Sequence, residues 1–151
     1  MVDDLGLPEG LRLTFEAEPS LETRRTIGAV IDEFNTRSFP LEVERFALLV
    51  HDRAQVLSAA MSGVLYWGWL FVGGLWVGDA LRGQGIGRAL MARAENHALS
   101  KGCHSVWLDT FQARGFYARL GYEAFGVLED YPPGQSRCFM RKRLGLGEII
   151  P

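Results

Sequence analysis

The residues with the clearest chemical potential are a glycine-rich run, Arg82-Gly83-Gln84-Gly85-Ile86-Gly87. A hydrophobic stretch over residues 70–77 precedes it, and a helical pattern begins at Ile86. At such a turn the free backbone N–H groups of the helix start converge, and the helix dipole adds positive potential. Glycine leaves the backbone accessible because it has no Cβ. With Arg82 and Arg88 on either side, the run predicts a site for a phosphate or pyrophosphate.

The glycine spacing separates this run from two common phosphate-binding loops. A Walker loop requires Lys and then Ser or Thr after its second glycine, and no Lys follows here. A dinucleotide loop requires Gly-x-Gly-x-x-Gly, whereas these glycines fall at 83, 85 and 87. The run instead resembles the acyl-CoA pyrophosphate loop, Arg/Gln-x-x-Gly-x-Gly/Ala, of the GNAT family of N-acetyltransferases. Residues 75–91 resemble that family's core motif, and residues 116–122, Phe-Tyr-Ala-Arg-Leu-Gly-Tyr, resemble its Phe-Tyr-x-x-x-Gly-Phe/Tyr segment.

The resemblance, which spans residues 44–143, implies an acyl-CoA-dependent N-acyltransferase. The implied reaction transfers acetyl from acetyl-CoA to a primary amine of a small molecule, peptide or protein, by direct attack in a ternary complex. The alternative is a non-catalytic acyl-CoA-binding sensor or regulatory module. The two differ in whether an amine provokes release of CoA.

The same resemblance implies a set of site residues. A backbone N–H of the strand around residues 75–77 would polarise the thioester carbonyl. Tyr117 would be the general acid, since its unperturbed pKa of about 10 lies near that of a thiol. The predicted cofactor-binding residues are Leu75, Trp76, Val77, Arg82, Gly83, Gln84, Gly85, Ile86, Gly87, Arg88, Gln112 and Tyr117.

The general base stays open at this stage. Asp109 and Asp130 lead a set of carboxylates that also includes Glu33, Asp79 and Glu129, and deprotonation through water needs none of them. The segment over residues 109–115 is shorter than is usual in the family and lacks its Asn, so Gln112 or Thr110 substitutes.

Neither a nucleophilic cysteine nor a metal is expected. Cys103 and His104 are neighbours on a predicted strand and so point to opposite faces, which makes them a poor catalytic pair. Cys138 has no plausible activating partner, and the scattered His and Cys residues show no metal-binding spacing.

Hydrophobic periodicity predicts the elements that position these residues. The expected fold is α+β, a mostly antiparallel sheet flanked by helices, in which the strands at 70–77 and 105–109 are parallel and splay apart. One N-acetyltransferase domain is expected over residues 1–151, with loose tails at 1–10 and 145–151. The other predicted strands lie at 11–15, 46–50, 55–65, 122–128 and 137–143, and the predicted helices begin at Ser20 and span 85–101 and 113–120.

Composition and charge limit the classes of partner and the location that can be expected. A net charge of −2 offers no electrostatic case for nucleic acid. The N-terminus lacks the layout of a signal peptide and the longest apolar stretch, 64–77, is too short to span a bilayer, so a cytoplasmic protein without membrane contact is expected. A homodimer is also expected, from Ile149-Ile150, the late strands and the aromatic residues between 66 and 76. Those aromatics, Tyr66, Trp67, Trp69 and Trp76, form either packing and a dimer face or a wall for the acceptor.

Overall fold

The computed structural model describes residues 6–145. Packing contacts form two compact units, one ending at Pro40 and the other beginning at Leu41. That a single N-acetyltransferase domain covers residues 1–151 stays a prediction, and residues 1–5 and 146–151 of the expected tails lie outside the described residues. The elements are α1 (Leu21–Thr36), β1 (Glu44–His51), β2 (Leu57–Tyr66), β3 (Trp69–Val77), a 3₁₀ turn (Asp79–Leu81), α2 (Ile86–Ser100), β4 (Ser105–Thr110), α3 (Arg114–Arg119), β5 (Glu123–Glu129) and β6 (Ser136–Arg143).

The first unit contains α1, which begins where the sequence predicts. The Thr23 backbone N–H donates to Ser20 Oγ at 3.0 Å, so Ser20 caps the helix. The predicted strand at 11–15 is wrong, because these residues adopt no regular structure and the alternating Leu11, Leu13 and Phe15 are all exposed. Alternation makes a strand only where a neighbouring strand completes the backbone hydrogen bonds, and residues 11–15 belong to none of the strands of the sheet.

The second unit is built on a six-stranded sheet in the order β1-β2-β3-β4-β6-β5. All neighbouring pairs are antiparallel except β3 and β4, which are parallel and joined through α2. The buried face of α2 comprises Leu90, Met91, Ala94 and Ala98, and Ile86 in its first turn is half-buried. Fully buried strand residues complete this core, among them Met61, Leu70, Val106, Leu108 and Met140.

The parallel pair splays as predicted. Only three positions pair, Trp69 with Ser105, Leu70 with Val106, and Phe71 with Trp107. Among the described residues, β3 pairs with β2 alone beyond Phe71, and β4 pairs with β6 alone beyond Trp107. A bulge lies at the same level, because the partners of β2 skip from Val72 to Gly74. The last residues of β3 therefore have an edge that no strand of the sheet occupies.

The described helices also bear on the expectation that no segment spans a membrane. Within residues 6–145, none is long and apolar enough to cross a membrane.

Candidate active site

A cleft of about 560 Å³ opens at the carboxyl end of β3. It lies between the end of that strand, the glycine-rich loop, the first turn of α2 and the first turn of α3. Ten of the predicted cofactor-binding residues line it: Leu75, Trp76, Val77, Arg82, Gly83, Gly85, Ile86, Gly87, Arg88 and Gln112. Leu81, Ala113, Phe116 and Arg119 also line it and were not singled out from the sequence.

The loop is held open by two glycines in the left-handed region. Gly83 has φ +77° and Gly85 has φ +79°, a backbone conformation that residues with a Cβ rarely adopt. No heavy atom lies within 4 Å of where a Cβ would stand at either residue. Gly85 is the N-cap of α2, so the N–H groups of the first turn have no partner within the helix. This end of the cleft can therefore accept several anionic oxygens from backbone donors.

Gly87 has a different role, because it permits a close approach. A Cβ at this position would stand 3.2 Å from Phe116 Cζ and 3.7 Å from Val77 Cγ2. Glycine thus allows the ring of Phe116, on α3, to pack against the first turn of α2. The alternating glycines combine two turn positions with one packing position.

Of the polar side chains of the loop, those of Arg82 and Arg88 line the cleft, whereas that of Gln84 supports the loop conformation. Arg82 is tethered, with its Nε donating to the Val77 carbonyl at 3.3 Å and an Nη2–Oδ1 distance of 3.0 Å to Asp79. Arg88 and Arg119 add positive charge to the lining. Gln84 does not line the cleft, because its Nε2 donates to the Ala80 carbonyl at 3.3 Å. Its contact supports the loop conformation.

Tyr117 lies in α3, directly after the cleft residue Phe116. It is buried, with its ring edge-on to Phe116 and to Tyr122 at centroid distances of 5.0 and 5.8 Å. Burial, assisted by the negative charge of Asp109, raises the pKa of Tyr117, so the hydroxyl keeps its proton at neutral pH. Within residues 6–145 the hydroxyl has no hydrogen-bond partner. Tyr117 does not line the cleft itself.

A polar network of Tyr122, Glu95 and Lys142 lies next to Tyr117. The Tyr122 hydroxyl donates to Glu95 Oε1 at 2.7 Å, and Lys142 Nζ donates to Glu95 Oε2 at 2.9 Å. Burial and then the Glu95 carboxylate raise the pKa of Tyr122 far above its usual range. The bonded hydroxyl fixes the ring of Tyr122, and that ring forms one wall around Tyr117.

Several candidate bases make structural contacts. Asp130 Oδ1 accepts the Gly134 N–H at 2.8 Å in the turn between β5 and β6. Asp79 is paired with Arg82, and Glu33 lies 3.8 Å from Arg37 on α1. Asp109 lies near the end of β4, where its Oδ1 accepts from Arg137 Nη1 at 2.6 Å. Among these, Asp109 is on the splayed part of the parallel pair.

The cysteines are buried, and burial raises the pKa of the Cys103 thiol. A protonated thiol is a poor nucleophile. The described part of the chain holds no cluster of three or more His, Cys, Asp or Glu side chains that could bind a metal.

The fold and cleft define a class of protein: an acyl-CoA N-acyltransferase, with a mixed sheet opened at its parallel pair. The family model described as "Acetyltransferase (GNAT) family" matches residues 13–122, and the chain belongs to that family. It is an N-acetyltransferase, with acetyl-CoA as its cosubstrate.

Individual relatives agree with this assignment. The chain is 35% identical over 143 residues to a blasticidin-S acetyltransferase of Streptomyces morookaense, covering 93% of this chain and 99% of the relative. It is 30% identical to an acetyltransferase of Bacillus cereus whose crystal structure superimposes with a TM-score of 0.75, covering 87% of this chain and 98% of that one. An aminoglycoside 6'-N-acetyltransferase crystallised with coenzyme A shares the fold at 21% identity, with a TM-score of 0.58 and coverage of 74% and 78%.

Proposed function

We propose that this protein transfers the acetyl group of acetyl-CoA directly to a primary amine, within a ternary complex. The observation that carries the proposal is the cleft where β3 and β4 separate. It combines a glycine-rich helix start, an unpaired strand edge and a protonated tyrosine next to its lining. These are the groups that a diphosphate, a thioester carbonyl and a departing thiolate require.

The chain supplies binding and polarisation. The first-turn N–H groups of α2, the open backbone at Gly83 and Gly85, and the side chains of Arg88 and Arg119 hold the diphosphate of acetyl-CoA. The free edge of β3 pairs with the pantetheine arm as an added strand does. A backbone N–H around residues 75–77 donates to the thioester oxygen, where negative charge develops during attack.

The reaction then needs one acid. The acceptor nitrogen forms a bond to the acetyl carbon while the carbon–sulfur bond breaks and its electron pair leaves with sulfur. Tyr117 donates its proton to that sulfur and recovers one from solvent, while the amine proton leaves to water or a carboxylate. Direct attack is proposed because both cysteines are buried and burial raises the pKa of the Cys103 thiol.

The first acceptor to test is blasticidin S. The similarity to the Streptomyces morookaense acetyltransferase extends over 93% of this chain, so the acceptor side of the cleft is included in the aligned region. Small molecules bearing a primary amine are accordingly proposed ahead of protein lysines.

The chain is further proposed to act in the cytoplasm as a homodimer that pairs through β5. Among the described residues this strand has only β6 as a neighbour, and it exposes Val127 and Leu128. An apolar strand at a sheet edge is an aggregation liability unless it is covered, and two-fold pairing is the commonest way to cover it. Ile149 and Ile150, which also motivated the dimer, lie outside the described residues.

The test measures release of CoA with a thiol reagent while acetyl-CoA is mixed with a panel of amines that includes blasticidin S. Amine-dependent CoA release, with mass spectrometry showing a product heavier than the amine by one acetyl group, supports the proposal. Binding of acetyl-CoA without CoA release on any amine refutes it. Detection of a stable acetyl-enzyme would refute direct attack but would leave the proposed transfer of acetyl to an amine intact.

A further inference from the structure

The sheet face away from α2 carries a second cavity, of about 340 Å³. Trp107 stands between Val106 and Leu108, which face the core, so its ring projects from the opposite side of β4. Its ring lies 4.3 Å from that of Phe71 across the parallel pair. We call this the aromatic cavity, and its lining is Tyr66, Trp67, Trp69, Trp107, Phe125 and Arg141.

The aromatic cavity is adjacent to the splayed part of the sheet through β4. Asp109 follows Trp107 by two residues and so lies on the same face, about 7 Å further along the strand. It comes after the last position at which β3 and β4 pair. Its charge contributes to the raised pKa of Tyr117, which places the carboxylate within electrostatic reach of the proposed acid. The cavity thus reaches, through Trp107, the position on β4 at which the parallel pair separates.

Asp109 is held in place but keeps binding capacity. Its Oδ1 is engaged by Arg137, while Oδ2 has no hydrogen-bond donor within residues 6–145. The Arg137 guanidinium is itself fixed, 4.1 Å from the centroid of the Tyr131 ring and 5.4 Å from that of Phe111. A preorganised carboxylate with a free oxygen is a suitable receptor for an ammonium group.

The other side of the aromatic cavity presents hydrogen-bond donors. Arg141 Nε donates to Glu123 Oε1 at 3.0 Å, and its guanidinium carbon lies 5.6 Å from the centroid of the Phe125 ring. The remaining guanidinium N–H groups have no partner in the described part of the chain. A planar ring that enters this cavity would stack on indole and benzyl faces and offer acceptor atoms to Arg141.

We infer that the aromatic cavity binds a planar heteroaromatic ring of the acceptor while Asp109 binds the acceptor's ammonium group, which loses one proton to water to become the neutral amine that attacks. The inference rests on the proposed function and gives its acceptor a class: amines placed about 7 Å from a flat ring that bears hydrogen-bond acceptors. The cavity volume suits one ring system. The aromatic lining and the carboxylate discriminate such molecules from simple alkylamines.

The first experiment compares acceptors of equal reach at saturating acetyl-CoA. The probes are 1-(3-aminopropyl)cytosine, 3-cyclohexylpropylamine and n-hexylamine, with CoA release as the readout. We expect kcat/KM for the cytosine amine to exceed that of both other amines by about tenfold or more, as loss of stacking and of one hydrogen bond predicts. Values within twofold of each other overturn the inference but leave the proposed function intact. Failure of every amine, blasticidin S included, refutes the proposed function and the inference with it.

The second experiment tests which residues produce the preference for the cytosine amine. Trp107→Leu should raise KM for the cytosine amine about tenfold and leave KM for acetyl-CoA and for n-hexylamine unchanged. Phe125→Leu, at a half-exposed position, should act in the same direction and covers the case in which Trp107→Leu does not fold. Asp109→Asn should raise KM for both amines. Val56→Ala, at an exposed position in the turn between β1 and β2, is the control and should change nothing.

A third measurement separates the acceptor from a second copy of the chain as occupant of the aromatic cavity. Light scattering of wild type and Phe125→Leu should give the same mass. A change of mass together with an unchanged KM would mark the cavity as an interface between copies and overturn the inference.

Discussion

Replacing Gly85 with leucine tests the anion site against its main confounder, backbone strain. Gly85 has φ +79° and caps α2, and a Cβ there meets no heavy atom within 4 Å. A leucine must therefore adopt the left-handed conformation, at a cost of roughly 1–2 kcal/mol. Because Gly85 lines the cleft, the new side chain also occupies space that the diphosphate of acetyl-CoA needs.

Gly102 is the matched control. It lies just beyond the other end of α2, has φ +82°, and likewise has no heavy atom within 4 Å of a Cβ. Gly102→Leu carries the same backbone cost without touching the cleft lining. Both variants should therefore lose about 1–2 kcal/mol of unfolding free energy without ligand.

The stabilisation that acetyl-CoA produces on binding distinguishes the two variants. At a hundredfold excess over its Kd, acetyl-CoA should stabilise wild type and Gly102→Leu by about 2.7 kcal/mol. For a domain of this size that is a rise of about 5–10 °C in Tm. Gly85→Leu should show almost no rise. Thermal melts with titrated acetyl-CoA and CoA measure this, and a full ligand-induced rise in Gly85→Leu, or its loss in Gly102→Leu, would refute the assignment of the loop.

Four further results follow from the structure. Tyr117→Phe should lower kcat by about 10²- to 10⁴-fold with acetyl-CoA affinity nearly unchanged; wild-type turnover would mean that water protonates the thiolate. Because the pKa of Tyr117 is raised in the folded state, this group ionises first in the unfolded chain. The free energy of unfolding should therefore fall as the pH rises above about 10. Denaturant titrations of Tyr117→Phe should show a smaller fall over the same pH range. The double variant Cys103→Ala, Cys138→Ala should remain active, and mass spectrometry of wild type incubated with acetyl-CoA should detect no acetyl-enzyme. Light scattering at tens of micromolar should give twice the 16.8 kDa of one chain; a single-chain mass would exclude the dimer.

The elements that sequence predicts well are those whose causes are local. The start of α2 follows from glycines at Gly83 and Gly85 before an apolar stripe, since chain direction and helix start depend on a few neighbouring residues. The two motifs, at 75–91 and 116–122, identified the family and therefore the splayed sheet. The order and parallel pairing of β3 and β4 then follow from an intervening helix.

Sequence predicts less well where neighbours distant in sequence decide the outcome. Leu11, Leu13 and Phe15 alternate as a strand does, but no strand within residues 6–145 pairs with them. Contact of Gln84 with the cofactor stays a prediction, and its side-chain amide donates to the Ala80 carbonyl. Arg119 lines the cleft because α3 packs beside the first turn of α2, and its position in the second motif was the only signal that could have found it.

The sequence by itself determined the family, the acetyl donor and the loop that the donor's diphosphate is proposed to contact, because each depends on a short run whose backbone conformation is set by its own residues. Tertiary structure alone decided what the acceptor would meet. Asp109 and Arg137 are 28 residues apart and come together through pairing of β4 with β6. The aromatic cavity combines residues from β2, β3, β4, β5 and β6, and only the register of those strands brings the rings to one face.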